Sequence, residues 1–169
     1  RVEFGNNGHW CGFAEQSFPL SERLTGVHTI SVVIDTRVIF GGFAFVPGQR
    51  AFDTNWVGEA DSGYGDDYRI NGRRVSDIGN NVIINYEGLD FGETGSRSLV
   101  ISGVTGNPMN QIQLRYTPAG GSQKTVLLEF TQSGGREQRF DIPEIFGVND
   151  VSFVFMPGSK FDFDWFRFE

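Results

Sequence analysis

The stretches Asp150-Val-Ser-Phe-Val-Phe-Met156 and Phe161-Asp-Phe-Asp-Trp-Phe-Arg-Phe168 decide the fold class. In the first, Val151, Phe153 and Phe155 occupy alternate positions, so they share one face of an extended chain. The second is richer still in aromatic residues, which favour strands. Both stretches therefore predict β-strands with one buried face.

Similar short runs recur along the rest of the chain, with Gly, Pro and Asn between them. They are Val27 to Ile34, Val38 to Val46, Asn81 to Tyr86, Ser98 to Ser102, Gln111 to Tyr116, Thr125 to Phe130 and Gln138 to Ile142. No long stretch has the 3.6-residue apolar period of a helix, and a single helical turn is expected at Pro143 to Phe146. This spacing predicts an all-β protein, an antiparallel β-sandwich of the jelly-roll type.

Composition restricts the classes of partner. The 169 residues include 21 acidic and 14 basic side chains, for a formal net charge of -7. Such a surface does not favour nucleic-acid phosphates or an anionic membrane, and no apolar run approaches the roughly 20 residues that span a bilayer. We therefore expect neither nucleic acid nor membrane as a partner.

An internal repeat indicates how the chain is organised. Three blocks near the start recur in the same order near the end, 122, 121 and 123 residues later: Glu15 to Phe18 with Glu137 to Phe140, Gly26 to Val33 with Gly147 to Val154, and Gly42 to Phe45 with Trp165 to Phe168. Fixed periods of this kind indicate duplicated units. The repeat predicts a complete sandwich over residues 51–169 and the C-terminal strands of a truncated first copy over residues 1–48. The complete module, a second chain or a larger parent protein could cover those strands.

Residues 59–169 resemble a carbohydrate-binding module of family 6, a galactose-binding-like jelly roll. Four pieces carry the resemblance: Glu59-Ala-Asp61, Ile78-Gly-Asn-Asn-Val82 followed by Leu89-Asp-Phe-Gly92, Ser152-Phe-Val-Phe155, and above all the closing Phe161 to Phe168. The tandem arrangement is similar to the C-terminal region of certain bacterial family 2 β-galactosidases.

The resemblance implies a non-catalytic module that binds a plant or host glycan and is attached to the catalytic domain of a glycoside hydrolase. The alternative is a structural or interaction sandwich of such an enzyme that binds no sugar itself. A lectin-like glycosidase is a third class. The two histidines, His9 and His28, and the single Cys11 have no spacing that indicates catalysis.

Sugar sites combine an exposed aromatic platform with a few polar side chains. Trp56 and Tyr64 are the aromatic candidates outside the clear strands. The resemblance adds Asn80 and Asn81 at the edge of the family's cleft, and Asp162 where the family has a sugar-contacting Asn. Alternatively, Trp56 fastens the linker to the sandwich and the two asparagines form a turn. The family's usual cleft aromatic is replaced by Val82.

The resemblance also implies a structural calcium ion. Asp61 matches the acidic position of the family's first strand, and Asp164 matches the Asp of its Asp-Trp-Phe motif. Calcium requires six to eight oxygen ligands, which two carboxylates and nearby carbonyls could supply. Surface charges or turn caps are the alternative role of both residues.

Overall fold

The computed structural model describes residues 3, 5, 14–16, 18, 27–35, 37–45, 50–65 and 67–169. The chain divides into two units, Arg1–Phe45 and Val46–Glu169. In the first unit, residues 27–35 and 37–45 contain no strand. The strands predicted at Val27 to Ile34 and Val38 to Val46 are therefore not formed in the described residues, because a strand needs a neighbour to satisfy its backbone hydrogen bonds. His9 and Cys11 lie outside the described residues.

The described residues of the second unit form eleven strands. They are β1 Asn55–Trp56, β2 Ser62–Tyr64, β3 Arg69–Asn71, β4 Arg74–Ile78, β5 Ile83–Asp90, β6 Ser96–Thr105, β7 Met109–Pro118, β8 Lys124–Thr131, β9 Glu137–Ile145, β10 Val148–Phe155 and β11 Phe161–Phe168. Short 3₁₀ helices occur at Arg50–Phe52, Val57–Glu59 and Gln132–Gly134. Within the described part of the chain, no helix is long and apolar enough to cross a membrane.

The strands form two antiparallel sheets. One has the order β3-β4-β11-β6-β9, with β1 also paired to β11, and the other has the order β2-β5-β10-β7-β8. The two strands that decided the fold class, β10 and β11, thus lie at the centres of the two sheets. The predicted all-β antiparallel sandwich is confirmed.

A cluster of aromatic side chains fills the space between the sheets. Phe153 and Phe155 of β10 and Phe163 and Phe166 of β11 are fully buried. The ring centroids of Phe153 and Phe166 lie 4.7 Å apart, which joins the two central strands across the core. Buried aromatic side chains supply large apolar area and favourable edge contacts, so these residues account for the Phe-rich composition.

The helical turn expected at Pro143 to Phe146 is wrong, because β9 extends through Ile145. Ile142 and Ile145 are both buried. Their packing in the core keeps this segment extended, although the sequence has no strict alternation there.

Candidate functional site

A cleft of about 730 Å³ opens at one end of the sandwich, where the ends of several strands and their loops meet. The lining residues come from the start of β3 and the residues just before it, the end of β4 and the turn after it, the end of β6, and the β10–β11 loop with the start of β11. Those that can contact a ligand through polar atoms or a ring are Asp67, Tyr68, Arg69, Asp77, Asn80, Lys160 and Asp162. Such a concave site with a few polar groups is the usual form of a small-molecule or sugar site.

A β-bulge forms the base of this cleft. Phe161 pairs with Ile78 and Phe163 pairs with Val75, so two residues of β4 lie opposite the single residue Asp162 of β11. One of the two, Asp77, has a left-handed backbone with φ 56°. Bulges redirect side chains at the rims of sheets, and this one places both Asp77 and Asp162 on the cleft.

Hydrogen bonds hold the bulge and its neighbouring loop in place. The Asp77 N–H donates to Oδ1 of Asp162 at 3.0 Å, and the Gly79 N–H donates to the carbonyl of Asp67 at 2.8 Å. The Arg69 guanidinium lies 3.5 Å from the Asp77 carboxylate, with both side chains largely exposed. The two sides of the cleft are therefore fixed to each other before any ligand binds.

The β10–β11 loop is fixed in the same way. The Gly158 N–H donates to the side-chain oxygen of Asn80, and the Asn107 amide donates to the Gly158 carbonyl at 2.8 Å. The Lys160 N–H donates to Oδ1 of the buried Asn110 at 3.0 Å. This loop carries Lys160 to the cleft on a preorganised backbone, which lowers the entropy cost of binding.

Tyr68 supplies the half-buried aromatic surface of the cleft. Its ring packs against the apolar core, and its hydroxyl lies beside Gly63 of β2. A Cβ at Gly63 would lie 2.9 Å from that hydroxyl, so the absence of a side chain there makes room for the ring. Val104, 42% exposed, adds apolar surface to the lining. A sugar ring could therefore place its C–H face on Tyr68 and its hydroxyl groups against the carboxylates.

Of the residues predicted to bind sugar, the structure brings Asn80 and Asp162 together in the cleft. Trp56, Tyr64 and Asn81 do not line it. Trp56 pairs with Trp165 in the six-stranded sheet and has the Arg73 guanidinium 5.3 Å from its ring centroid. Tyr64 is 73% exposed on the edge strand β2.

Asn81 forms the turn before β5. Its backbone is left-handed, with φ 55°, and its N–H donates to the carbonyl of Phe155 at 2.9 Å. The adjacent Val82, at the position of the family's usual aromatic, is fully buried. Neither residue presents a side-chain surface to the cleft, which agrees with a turn as the role of Asn81.

Sequence reasoning missed Tyr68, Asp67, Asp77, Lys160 and Arg69. Tyr68 carried a usable signal, because an aromatic residue between Asp67 and Arg69 lies outside any apolar run. The role of Asp77 had no such signal, since it depends on the bulge that pairs β4 with β11.

The structure pairs both predicted calcium ligands, Asp61 and Asp164, with arginines. Both carboxylate oxygens of Asp164, which is 8% exposed, accept hydrogen bonds from guanidinium groups, one from Arg74 and one from Arg136. Asp61 pairs with Arg50 at 2.8 Å and accepts the Glu87 N–H at 2.9 Å. A cation would have to displace these arginines. Among the described residues, no group of three or more acidic, His or Cys side chains could hold a metal.

Comparison with known proteins identifies the fold and the family. The family model for carbohydrate binding module family 6 matches residues 50–169. The chain belongs to this family. Its sandwich is thus a non-catalytic carbohydrate-binding module, as the resemblance implied. No curated protein sequence is significantly similar to the chain.

Solved structures agree with this family assignment. A family 6 module from Clostridium stercorarium, in complex with cellobiose, is 28% identical and has a TM-score of 0.58, with 73% of this chain and 98% of that chain covered. A Clostridium cellulolyticum module in complex with xylose is 19% identical, with a TM-score of 0.55 over 70% of this chain and 98% of that chain. A β-1,3-glucan-binding module from Bacillus halodurans is 18% identical, with a TM-score of 0.55 over 70% of this chain and 96% of that chain. The last two support the fold.

Proposed function

We propose that this family 6 module binds a glycan in the cleft between the β4 turn and the β10–β11 loop. The supporting observation is the grouping of Tyr68, Asp77 and Asp162 around one preorganised cleft of about 730 Å³. Tyr68 would contact the C–H face of a sugar ring. The two carboxylates would accept hydrogen bonds from its hydroxyl groups, and the Lys160 ammonium would donate to a ring or hydroxyl oxygen.

A β-linked glucose disaccharide is the first ligand to test. The Clostridium stercorarium module, 28% identical, was solved in complex with cellobiose. In this chain three carboxylates, from Asp67, Asp77 and Asp162, line the cleft, and Val82 is buried. A glycan array that includes xylo- and gluco-oligosaccharides should therefore precede titration calorimetry.

Substitutions at two tyrosines test the location of the site. Tyr68→Ala should weaken binding at least about tenfold, since a lost aromatic contact costs about 1.4 kcal/mol. Tyr64→Ala is the matched control, because Tyr64 is exposed outside the cleft. Binding that survives Tyr68→Ala but is lost in Tyr64→Ala or Trp56→Ala would place the site elsewhere. Absence of any glycan ligand would favour the alternative of a structural sandwich without sugar binding.

Attachment of the module to a glycoside hydrolase of the family 2 β-galactosidase type is also a proposal. It rests on the tandem order of the sequence blocks, which is similar to the C-terminal region of those enzymes. Determination of the coding sequence around this module tests it: a catalytic barrel in the same reading frame would support it, and any other catalytic domain or none would contradict it.

A further inference from the structure

The first unit carries an apolar pattern whose side chains are exposed. Ten large apolar side chains between residues 27 and 45 are exposed: Val27, Ile30, Val32, Val33, Ile34, Val38, Ile39, Phe40, Phe43 and Phe45. Many exposed large apolar side chains within one short segment indicate a surface that a partner covers. Its partner can be deduced from the second unit, because the same pattern recurs there within a complete sandwich.

The segment of residues 27–34 corresponds to β10 position by position. Val27-His-Thr-Ile-Ser-Val-Val-Ile34 aligns without gaps with Val148-Asn-Asp-Val-Ser-Phe-Val-Phe155. In β10 the core-facing residues are Val151, Phe153 and Phe155, all completely buried. Their counterparts in the first unit are Ile30, Val32 and Ile34, which are 43%, 51% and 50% exposed.

The segment of residues 38–45 corresponds to β11 in the same way. Val38-Ile-Phe-Gly-Gly-Phe-Ala-Phe45 aligns with Phe161-Asp-Phe-Asp-Trp-Phe-Arg-Phe168. β11 has an irregular register between Phe163 and Trp165, so its buried phenylalanines fall at 161, 163, 166 and 168 instead of strictly alternating. The apolar residues of the first unit have this uneven spacing too: Val38, Phe40, Phe43 and Phe45.

The phenylalanine rings of the two segments are also arranged alike. The centroids of Phe43 and Phe45 lie 5.7 Å apart with an interplanar angle of 82°, and those of Phe166 and Phe168 lie 5.8 Å apart at 84°. The preceding pairs, Phe40 with Phe43 and Phe163 with Phe166, have centroid distances of 6.4 Å and 6.2 Å. The first unit thus has the ring spacing of β11 without its strand pairing.

We infer that residues 27–45 are the two central strands of a second family 6 sandwich, and that they bind strands homologous to β4, β5, β6 and β7. Those four flank β10 and β11 in the sheets of the second unit, where β1 adds only a two-residue pairing with β11. The repeated blocks have the same order in both copies, so the partner strands belong to a first copy on the amino-terminal side of residue 15. This inference is independent of the proposed sugar site.

A hybrid chain tests this partner. It places a second copy of residues 50–136, which contain β1–β8, directly before Glu15 of the chain, so that residues 15–45 can supply the missing strands. We expect amide hydrogen exchange of residues 30–34 and 38–45 to slow on the order of a hundredfold or more relative to the unaltered chain, as it does for core strands. The positive control contains residues 50–169 twice in tandem.

Two neighbouring substitutions in the hybrid chain test the register. Phe40→Asp places a charge at the position of the buried Phe163 and should abolish the protection. Ile39→Asp places the same charge at the position of Asp162 and should preserve it. The inference would be overturned if residues 30–45 stay unprotected in the hybrid chain while the positive control is protected. It would also be overturned if the two substitutions had equal effects on the protection. Protection in a dimer of the unaltered chain would overturn it in favour of a second copy as the partner.

Discussion

The Asp77 N–H donates a hydrogen bond to the carboxylate of Asp162 at 3.0 Å, across the bulge between β4 and β11. This bond satisfies a backbone group that the bulge removes from the regular ladder. It also orients Asp162, so that one carboxylate oxygen supports the fold while the carboxylate as a whole faces the cleft. The structural and binding roles of Asp162 can therefore be separated by substitution.

Asp162→Asn should preserve the bulge, because the amide oxygen can still accept from the Asp77 N–H. We expect its melting temperature to stay within about 2 °C of the parent protein. Asp162→Ala removes the acceptor and should cost about 1 kcal/mol, or about 2–4 °C. If the proposed site is correct, Asp162→Ala should also weaken glycan binding about 10- to 100-fold, the usual worth of a hydrogen bond to a charged group.

Thermal melts and calorimetry of both variants provide the check. Equal glycan affinity of Asp162→Ala and the parent protein would contradict a contact between this carboxylate and the ligand. Equal melting temperatures of the Ala variant and the parent would instead contradict the role of Asp162 in the bulge.

Asp164 should stabilise the fold through its two arginines and without a metal. It is buried between Arg74 and Arg136, so Asp164→Asn leaves two guanidinium groups without their carboxylate. We expect a loss of about 1–3 kcal/mol, reduced from the cost in a fully buried pair because both arginines are partly exposed. Glu59→Gln, which breaks the exposed pair with Arg73, is the control and should cost at most about 1 kcal/mol.

Thermal melts of the protein with and without EDTA test the calcium prediction. Since guanidinium groups already occupy both carboxylate oxygens of Asp164, we expect EDTA to leave the melting temperature unchanged. A melting temperature that falls in EDTA and recovers in calcium would show that a cation displaces these arginines, in agreement with the ligand pair Asp61 and Asp164.

The sequence predicts the parts of the fold that depend on local periodicity. Val151, Phe153 and Phe155 alternate, and the structure buries all three in a central strand. The strand at Pro143 to Ile145 could not be predicted from periodicity. Pairing with β6 and the burial of Ile145 extend β9 beyond the part of its sequence that alternates. The strands predicted at residues 27–45 have the correct pattern but no partner strands within the described residues.

The candidate site was harder to predict because it depends on contacts between distant residues. Asn80 and Asp162 could be predicted because the motifs of the family resemblance are visible in the sequence around them. Asp77 reaches the cleft through a left-handed residue in a bulge, and Tyr68 through space left by Gly63. Trp56 has the aromatic surface expected of a sugar site, but its pairing with Trp165 places it in the six-stranded sheet.

The pH dependence of stability should have a contribution from Glu169. Hydrogen bonds from Arg167, and then the charge and hydrogen bond of Arg139, hold the pKa of Glu169 below its usual value of 4.5. The folded state therefore binds this proton more weakly than the unfolded state. The resulting stabilisation is present above the unfolded pKa and is lost as the pH falls through the lowered folded pKa.

Glu169→Gln removes this titration. The difference in melting temperature between the protein and the variant should be largest at about pH 6 and should shrink as the pH falls below 4.5. High salt should reduce the difference, because these groups are exposed and screened. A difference that grows towards acid pH would contradict the ion pairs with Arg139 and Arg167.

Gly63→Ala should impair glycan binding more than stability. The new Cβ would lie 2.9 Å from the Tyr68 hydroxyl, and the flexible end of that side chain can move at a cost below about 1 kcal/mol. The displaced ring would no longer present the same surface to the cleft, so binding should weaken about as much as in Tyr68→Ala. Ser62→Ala, on the same strand, is the control and should leave binding unchanged. Calorimetry together with melts tests this, and wild-type affinity in a folded Gly63→Ala variant would show that the position of Tyr68 does not determine binding.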